Sequence, residues 1–180
     1  MSVFKKQRVQ IEKLLLDPNN PRILTELGGS IPPNTYHEEG VQDNTRKATI
    51  DIDRAHIENL KSSISTNGYI PINNILVRPY ENLEDNFKGF VVVEGNCRTT
   101  AIKELCNQHE TGEKRIDSTI YNDIKKIEVL VYTDTDLEKP YQIQGVTHLI
   151  GTKAWEPFPQ SKFLVNKMRE QGVERPYEIG

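Results

Sequence analysis

The chain has 180 residues, of which 36% are hydrophobic and 27% are charged, a composition typical of a single globular domain with generous loops. No apolar run approaches the ~20 residues of a membrane span and no secretory signal opens the sequence, which argues against a membrane or secreted protein. The net charge of −3 gives no general preference for nucleic acid, so contact with DNA would require a local basic patch or a separate module.

The first third of the chain predicts one strand, a turn and a long connection. Residues 9–16 alternate between polar and apolar and then become apolar, which indicates a short strand or the edge of one. The prolines and asparagines of residues 17–22 predict a turn. Residues 25–49 are rich in Gly, Pro, Asn and charge, and a connection of that length predicts a functional loop, a lid or disorder.

A helix follows this connection. Asp53 is placed to cap its N-terminus, and Ile57, Leu60 and Ile64 recur at helical spacing. Asn67 and the glycine after it end the periodic pattern, so we expect the helix to finish there.

The central part of the chain predicts three strands and a second helix. Residues 75–77 and 90–93 read as strands joined by a polar, hairpin-like connection at residues 79–88. A helix is expected from about residue 98 to residue 108, and a charged loop then leads to a strand at residues 126–132.

The remaining residues predict helices. Residues 141–150 and 159–170 have helical patterns, and residues 174–180 resemble the start of another helix, so we expect this chain to be a fragment of a longer protein. The order of elements predicts a small α+β domain at residues 1–140, with a mixed sheet and flanking helices, and a helical extension at residues 141–180.

Histidine and cysteine are too scattered to predict a metal site. Cys97 and Cys106 lie nine residues apart, outside metal-ligand spacing, and a reducing cytoplasm is the simplest compartment for two such cysteines. Cys97 is expected to be a small packed residue, with a reactive thiol as the alternative. His37 and His56 have no partners at ligand spacing and are expected to face solvent.

The junction between the strand at residues 90–93 and the following helix has the features of an anion site. Gly95 lets the backbone approach a ligand closely, and the helix start offers unpaired N–H groups. Arg98 sits in the first turn, where it opposes the helix dipole unless an anion is present, and Thr99 and Thr100 add hydroxyl groups. The alternative is an ordinary turn in which Arg98 pairs with Glu94 or Glu104.

Several short segments, in order along the chain, resemble the N-terminal domain of the ParB/sulfiredoxin-like superfamily. They span nearly the whole chain and lie at residues 20–22, 57–64, 68–72, 93–98, 145–151 and 155–157. The resemblance implies a ParB-like small mixed sheet with flanking helices. It also implies a helical region leading to a DNA-binding part outside this chain.

The resemblance assigns roles to the glycine turn. In ParB proteins a Gly-Glu-Arg-Arg motif holds the phosphates of CTP, and the matching residues here are Gly95, Asn96, Cys97 and Arg98. Cys97 stands where an arginine is expected. The implied ligand is a nucleoside triphosphate, CTP or ATP, with Mg²⁺ as a candidate ion. Sulfiredoxins place their catalytic cysteine directly after the glycine, where this chain has Asn96, so the sulfiredoxin reaction is not expected.

Three further residues complete the predicted site. Arg22 lies in the first resembling segment and is assigned to phosphate binding. In ParB proteins a later helix closes the site and holds Mg²⁺, but the comparable residues 142–148 have no carboxylate. His148 is either a phosphate donor there or a capping, solvent-facing histidine. Glu94 is the candidate catalytic base and the nearest carboxylate for a metal, and no dedicated set of metal ligands is predicted.

The leading hypothesis is a ParB-like nucleotide-binding module of a DNA-associated protein, acting as a nucleotide switch or weak NTPase. Its expected partners are a nucleotide, DNA through a region outside this chain, and a second copy of the chain in a homodimer, with no membrane partner. One alternative is a phosphotransferase or nuclease on the same fold that uses Glu94. Another is a scaffold without a ligand that makes only protein contacts.

Overall fold

The computed structural model describes residues 3–71 and 74–134. The strands are β1 (Phe4–Gln10), β2 (Leu14–Leu15), β3 (Ile75–Asn82), β4 (Phe87–Glu94) and β5 (Lys126–Tyr132). The helices are α1 (Glu39–Ile52), α2 (Arg54–Asn67), α3 (Asn96–Glu110) and α4 (Ser118–Lys125), with short 3₁₀ turns at Ile11–Lys13 and Pro33–Thr35. None of these helices combines the length and the apolar character that crossing a bilayer requires. The helices predicted at residues 141–150 and 159–170, and the boundary at residue 140, lie outside the described residues.

The five strands form one mixed sheet in the order β1-β5-β3-β4-β2. β1 pairs with β5, and β3 with β4, in antiparallel fashion, whereas β5 and β3, and β4 and β2, run parallel. The prediction of an α+β fold with a mixed sheet is therefore confirmed. Because β2 and β4 are parallel, the chain leaves both strands at the same edge of the sheet, and this brings the turn after β2 to the start of α3.

The main core lies between one face of the sheet and the helices α2, α3 and α4. Alternate residues of each strand point into it, as the two-residue period of a strand requires. Its helical side comes from apolar residues at helical spacing, among them Ile57 and Ile64 of α2 and Ile102 and Leu105 of α3. Ile57 and Ile64, which the sequence predicted at helical spacing in α2, are thus core residues, and Cys106 of α3 is buried in the same core.

The opposite face of the sheet is covered, near β2 and β4, by the connection that precedes α1. Tyr36 from this connection packs against Leu15, Tyr80 and Val91, and it stacks on the Tyr80 ring with a centroid separation of 6.1 Å. The side-chain amide of Asn19 donates to the Tyr36 hydroxyl (2.7 Å), which fastens the turn after β2 to the same cluster.

The prediction of one long loop at residues 25–49 is wrong, because its second half belongs to α1. This helix buries Thr45, Ala48 and Thr49 and few large apolar residues, so its apolar period is weak. Polar contacts hold it in place. Gln42 accepts from the Leu16 backbone N–H (2.8 Å) and donates to the Leu16 carbonyl oxygen (3.0 Å). Arg46 pairs with Glu104 of α3 (2.5 Å).

The single strand predicted at residues 9–16 is divided by the 3₁₀ turn at Ile11–Lys13 into the end of β1 and the short β2. Two later parts of the chain also differ from the sequence prediction. The charged segment before β5 contains α4, which buries Ile124 and is capped by Asp117, whose carboxylate accepts from the Thr119 backbone N–H (2.8 Å). The connection predicted at residues 79–88 is mostly strand, because β3 and β4 extend to a tight turn at residues 83–86. α4 was missed because it has only a single apolar face. The extended parts of β3 and β4 were missed because their outward-facing positions are charged.

Candidate functional site

Gly95 joins β4 to α3 in a conformation that favours glycine. Its backbone has φ 106° and ψ 23°, in the left-handed region that side chains with a Cβ rarely adopt. A Cβ at this position would lie 3.0 Å from Cγ1 of Ile75 and 3.4 Å from Nη2 of Arg98. The backbone angle therefore strongly favours glycine, and the close approach of β3 adds to that preference.

No side chain of the described residues caps the N-terminus of α3. The helix begins at Asn96, two residues before the predicted start, and its first internal hydrogen bond runs from the Thr99 N–H to the Gly95 carbonyl oxygen (2.9 Å). The N–H groups of residues 96–98 precede that bond and have no acceptor within the helix. Together with the helix dipole they make this turn attractive to an anion.

Arg98 extends along the first turn toward the end of β4. Its Nη2 lies 3.8 Å from Oε1 of Glu94, and the two side chains are only 20% and 24% exposed. This distance exceeds the ~2.8 Å of a charge-assisted hydrogen bond, so the pair is loose. Of the two alternatives for Arg98, pairing with Glu94 is observed, whereas Glu104 is paired with Arg46 of α1.

Arg22 brings a second guanidinium group to the same turn. It comes from the turn after β2, and its Nη1 lies 3.6 Å from the sulfur of Cys97 while its Nη2 lies 3.7 Å from Oδ2 of Asp53. Cys97 is half-buried and packs against the main core. The sequence predicted Arg22 and Arg98 as separate members of the site. The structure brings both guanidinium groups to the first turn of α3: Arg98 belongs to that turn, and Arg22 contacts the adjacent residue Cys97. We call residues 95–98 together with Arg22 the α3 site.

Thr99 and Thr100 lie beneath the surface of this turn. Both residues are completely buried, and neither hydroxyl oxygen has a hydrogen-bond partner among the described residues. The sequence assigned them to phosphate binding, but a ligand at the surface would reach their hydroxyls only if the first turn of α3 moved.

Asn96 links the α3 site to the turn after β2. Its side-chain oxygen accepts from the Asp17 backbone N–H (3.0 Å), and its Nδ2 donates to the Val92 carbonyl oxygen (3.4 Å). The side chain is buried. Asn96 thus fixes the first residue of the helix, and its side-chain amide is directed at the protein interior.

Asp17 is the residue at this site that the sequence prediction missed. It is completely buried, and Oδ1 accepts from the Asn19 backbone N–H (3.0 Å) while Oδ2 has no hydrogen-bond partner in the part of the chain that the structure describes. Burial raises the pKa of this carboxyl group from 3.8 to about 6, against the Asn19 hydrogen bond and the positive charge of Arg78, which both lower it. The available signal was a carboxylate directly after the apolar residues of β2.

Tyr69 also lies near the α3 site. Its ring packs against the main core, and burial raises the pKa of the phenol while the positive charge of Arg98 lowers it. The effect of Arg98 places the phenol within electrostatic range of the guanidinium group. Tyr69 belongs to a segment that carried the family resemblance, but no pattern in the sequence marked it as a site residue.

The histidines contribute little to this site. His148 lies outside the described residues, so its assignment stays a prediction. The expectation that His37 faces solvent is wrong, because its side chain is 10% exposed and its ring nitrogens lie 3.0 Å from the Tyr80 hydroxyl and 2.7 Å from Asp85. Within residues 3–71 and 74–134, no group of three His, Cys, Asp or Glu side chains is placed to hold a metal ion.

Comparison of the chain with known proteins found no matching family model, no significantly similar curated protein and no significantly similar solved structure. The geometry of the α3 site is therefore the main support for a function.

Proposed function

We propose that this chain is a ParB-like phosphate-binding module of a DNA-associated protein, and that it holds a nucleoside triphosphate at the α3 site as a switch or weak NTPase. The observation that carries the proposal is the meeting of an uncapped helix N-terminus with two guanidinium groups. Arg98 lies in the first turn of α3, and Arg22 reaches the same turn at Cys97. Backbone N–H groups and paired arginines are the donors that phosphate oxygens favour in proteins.

Arg22 compensates for the main difference from the family motif, which is the cysteine at position 97. In that motif an arginine stands at the position of Cys97, and here a guanidinium from another loop lies 3.6 Å from the Cys97 sulfur. The charge that the motif would supply from the helix is thus supplied from the turn after β2. This substitution supports a phosphate ligand without requiring the complete motif.

Two carboxylates hold these arginines in loose pairs. Asp53 lies 3.7 Å from Arg22, and Glu94 lies 3.8 Å from Arg98. Because both pairs are longer than direct hydrogen bonds, a phosphate can replace them with shorter contacts at small cost. A Mg²⁺ ion in this proposal would bind mainly through the nucleotide phosphates, with Glu94 as the protein carboxylate at hand, which is a common arrangement for this ion.

An enzymatic version of the proposal uses Glu94 as a general base for phosphoryl transfer or hydrolysis. It is favoured by the position of Glu94 at the end of β4, next to Arg98 and the proposed phosphate. The Glu94→Gln variant separates the two versions. Loss of product formation with unchanged nucleotide affinity would support Glu94 as the general base. Unchanged turnover would exclude Glu94 from that role.

A thermal-shift screen of the four ribonucleoside triphosphates and ADP, with and without Mg²⁺, tests the proposed function. A ligand that binds the native state at about 100 times its Kd stabilises the protein by about 2.7 kcal/mol. We expect a rise in Tm that Arg98→Ala abolishes and Arg22→Ala reduces.

Arg115→Ala is the matched control, because it removes the same charge from an exposed position beyond the far end of α3. Its ligand response should equal that of the wild type. Absence of a shift with every nucleotide would favour the scaffold alternative, and a full response in Arg98→Ala would reject the α3 site.

A further inference from the structure

Asp17 lies directly behind the first turn of α3. Its backbone N–H donates to the side-chain oxygen of Asn96, the first residue of the helix (3.0 Å), so Asp17 is in direct contact with a residue of the α3 site. The two segments meet because β2 and β4 are parallel and end at the same edge of the sheet. Asp17 itself is completely buried.

The carboxyl group of Asp17 is incompletely satisfied. Oδ1 accepts one hydrogen bond from Asn19, and Oδ2 has no hydrogen-bond partner among residues 3–71 and 74–134. Its neighbours include the neutral Asn19 of its own turn and the neutral Asn96 of α3, and the charge of Arg78 of β3 acts on it at a distance. An ionised carboxylate with so little compensation is costly in a buried position, and protonation removes that cost.

The charge state of Asp17 must also affect an anion bound at the front of the same turn. Between a buried charge and a nearby site, the effective dielectric constant is far below that of water and salt screens weakly. A negative Asp17 repels an anion there, and a neutral Asp17 does not.

We infer that Asp17 regulates the α3 site: the ionised carboxylate weakens anion binding, and protonation of the carboxylate strengthens it. This inference rests on the proposed function. The chemical step is the exchange of one proton between the Asp17 carboxyl group and solvent. By linkage, a bound anion must favour the protonated form of Asp17 to the same extent. The pKa of about 6 places this exchange close to neutral pH.

Sulfate is the appropriate probe, because it stays a dianion across the range in which Asp17 titrates, whereas phosphate changes its own charge there. We would measure the Kd of sulfate for the full chain by calorimetry from about pH 5 to about pH 8. In the wild type, affinity should be roughly tenfold higher at the acidic end. In Asp17→Asn, affinity should be high throughout and should lack that component of the pH dependence.

Asp123→Asn is the matched control, since it removes a carboxylate from an exposed position on α4, and it should follow the wild-type pH profile. Parallel profiles for the wild type and Asp17→Asn would overturn the inference while leaving the α3 site intact. Sulfate binding that survives in Arg98→Ala, or no binding by the wild type, would overturn the proposed function and the inference with it.

A second measurement covers the case in which Asp17→Asn fails to fold. The ¹³C signal of the Asp17 carboxyl group can be titrated in the wild type with and without saturating sulfate. We expect sulfate to raise the pKa of Asp17. An unchanged or lowered pKa in the presence of bound sulfate would contradict the inference.

Discussion

At the scale of single residues, the α3 site depends on groups that serve the fold and the ligand at once. Gly95 adopts a left-handed conformation in which a Cβ would be tightly crowded by Ile75, and Asn96 uses its side chain to hold the turn after β2. Arg98 belongs to the first turn of α3, and Arg22 reaches the same turn from the loop that follows β2. Asp17 is buried beside the same turn, so the site combines two partly buried positive charges with a completely buried acid.

The buried Asp17 carboxylate should lower the free energy of unfolding of the protein at neutral pH. The difference between its pKa of about 6 and the ordinary value of 3.8 corresponds to about 3 kcal/mol, an order-of-magnitude figure. Because the folded-state pKa is raised, the favourable contribution is present below the unfolded-state value and is lost as the pH rises through about 6.

We therefore expect Asp17→Asn to raise the free energy of unfolding above about pH 7 by roughly 1–2 kcal/mol. The gain is smaller than the full value because the Nδ2 group that replaces Oδ2 is a buried donor that gains no acceptor from the described contacts of this site. Near pH 4 the gain should vanish. Urea unfolding at both pH values is the measurement, with Asp123→Asn as the control. A variant that is equally destabilised at both pH values would show that the carboxylate is better compensated than its contacts indicate.

At the scale of elements, Asp53 connects α2 to the α3 site. Its Oδ1 accepts from the His56 backbone N–H (3.3 Å) as the N-cap of α2, and its Oδ2 faces Arg22 (3.7 Å). The N-cap role confirms the sequence prediction. The contact with Arg22 could not be predicted, because it depends on where the turn after β2 lies in the folded protein.

The two roles of Asp53 can be separated by substitution. Asp53→Ala removes the cap and the ion pair, and we expect it to lower the free energy of unfolding by about 1 kcal/mol. Asp53→Asn keeps a capping oxygen, so it should lose no more than the small contribution of a partly exposed ion pair, a few tenths of a kcal/mol. Urea unfolding of both variants is the check. Equal losses would assign the stability to the ion pair with Arg22 and contradict the capping argument.

The elements that the sequence predicted well are those with an apolar period or a clear stop. α2 matched at both ends, and β5 matched at every residue, because large buried side chains recur at the period of the element. α1 was missed because it buries threonine and alanine and is held by Gln42 and Arg46. Such polar contacts join residues far apart in the sequence, and no local pattern reveals them.

At the scale of the whole molecule, the parallel pairing of β2 with β4 creates the site. It places residues 17–22 beside the start of α3, although more than 70 residues separate them in the chain. The sequence predicted the glycine junction and both arginines. It did not predict Asp17 or Asp53 as neighbours of the junction, because their proximity follows from strand order and direction. The ParB-like character of the fold stays a prediction.

The central claim is that the backbone of the first turn of α3 binds phosphate. A titration of the full chain with pyrophosphate, followed through ¹⁵N–¹H correlation spectra, tests it most directly. Sodium chloride at matched ionic strength is the control for nonspecific effects of salt. We predict saturable shifts of the amide signals of residues 96–98, absent in Arg98→Ala. Unchanged signals for these three residues, with saturable shifts elsewhere in the chain, would contradict the claim.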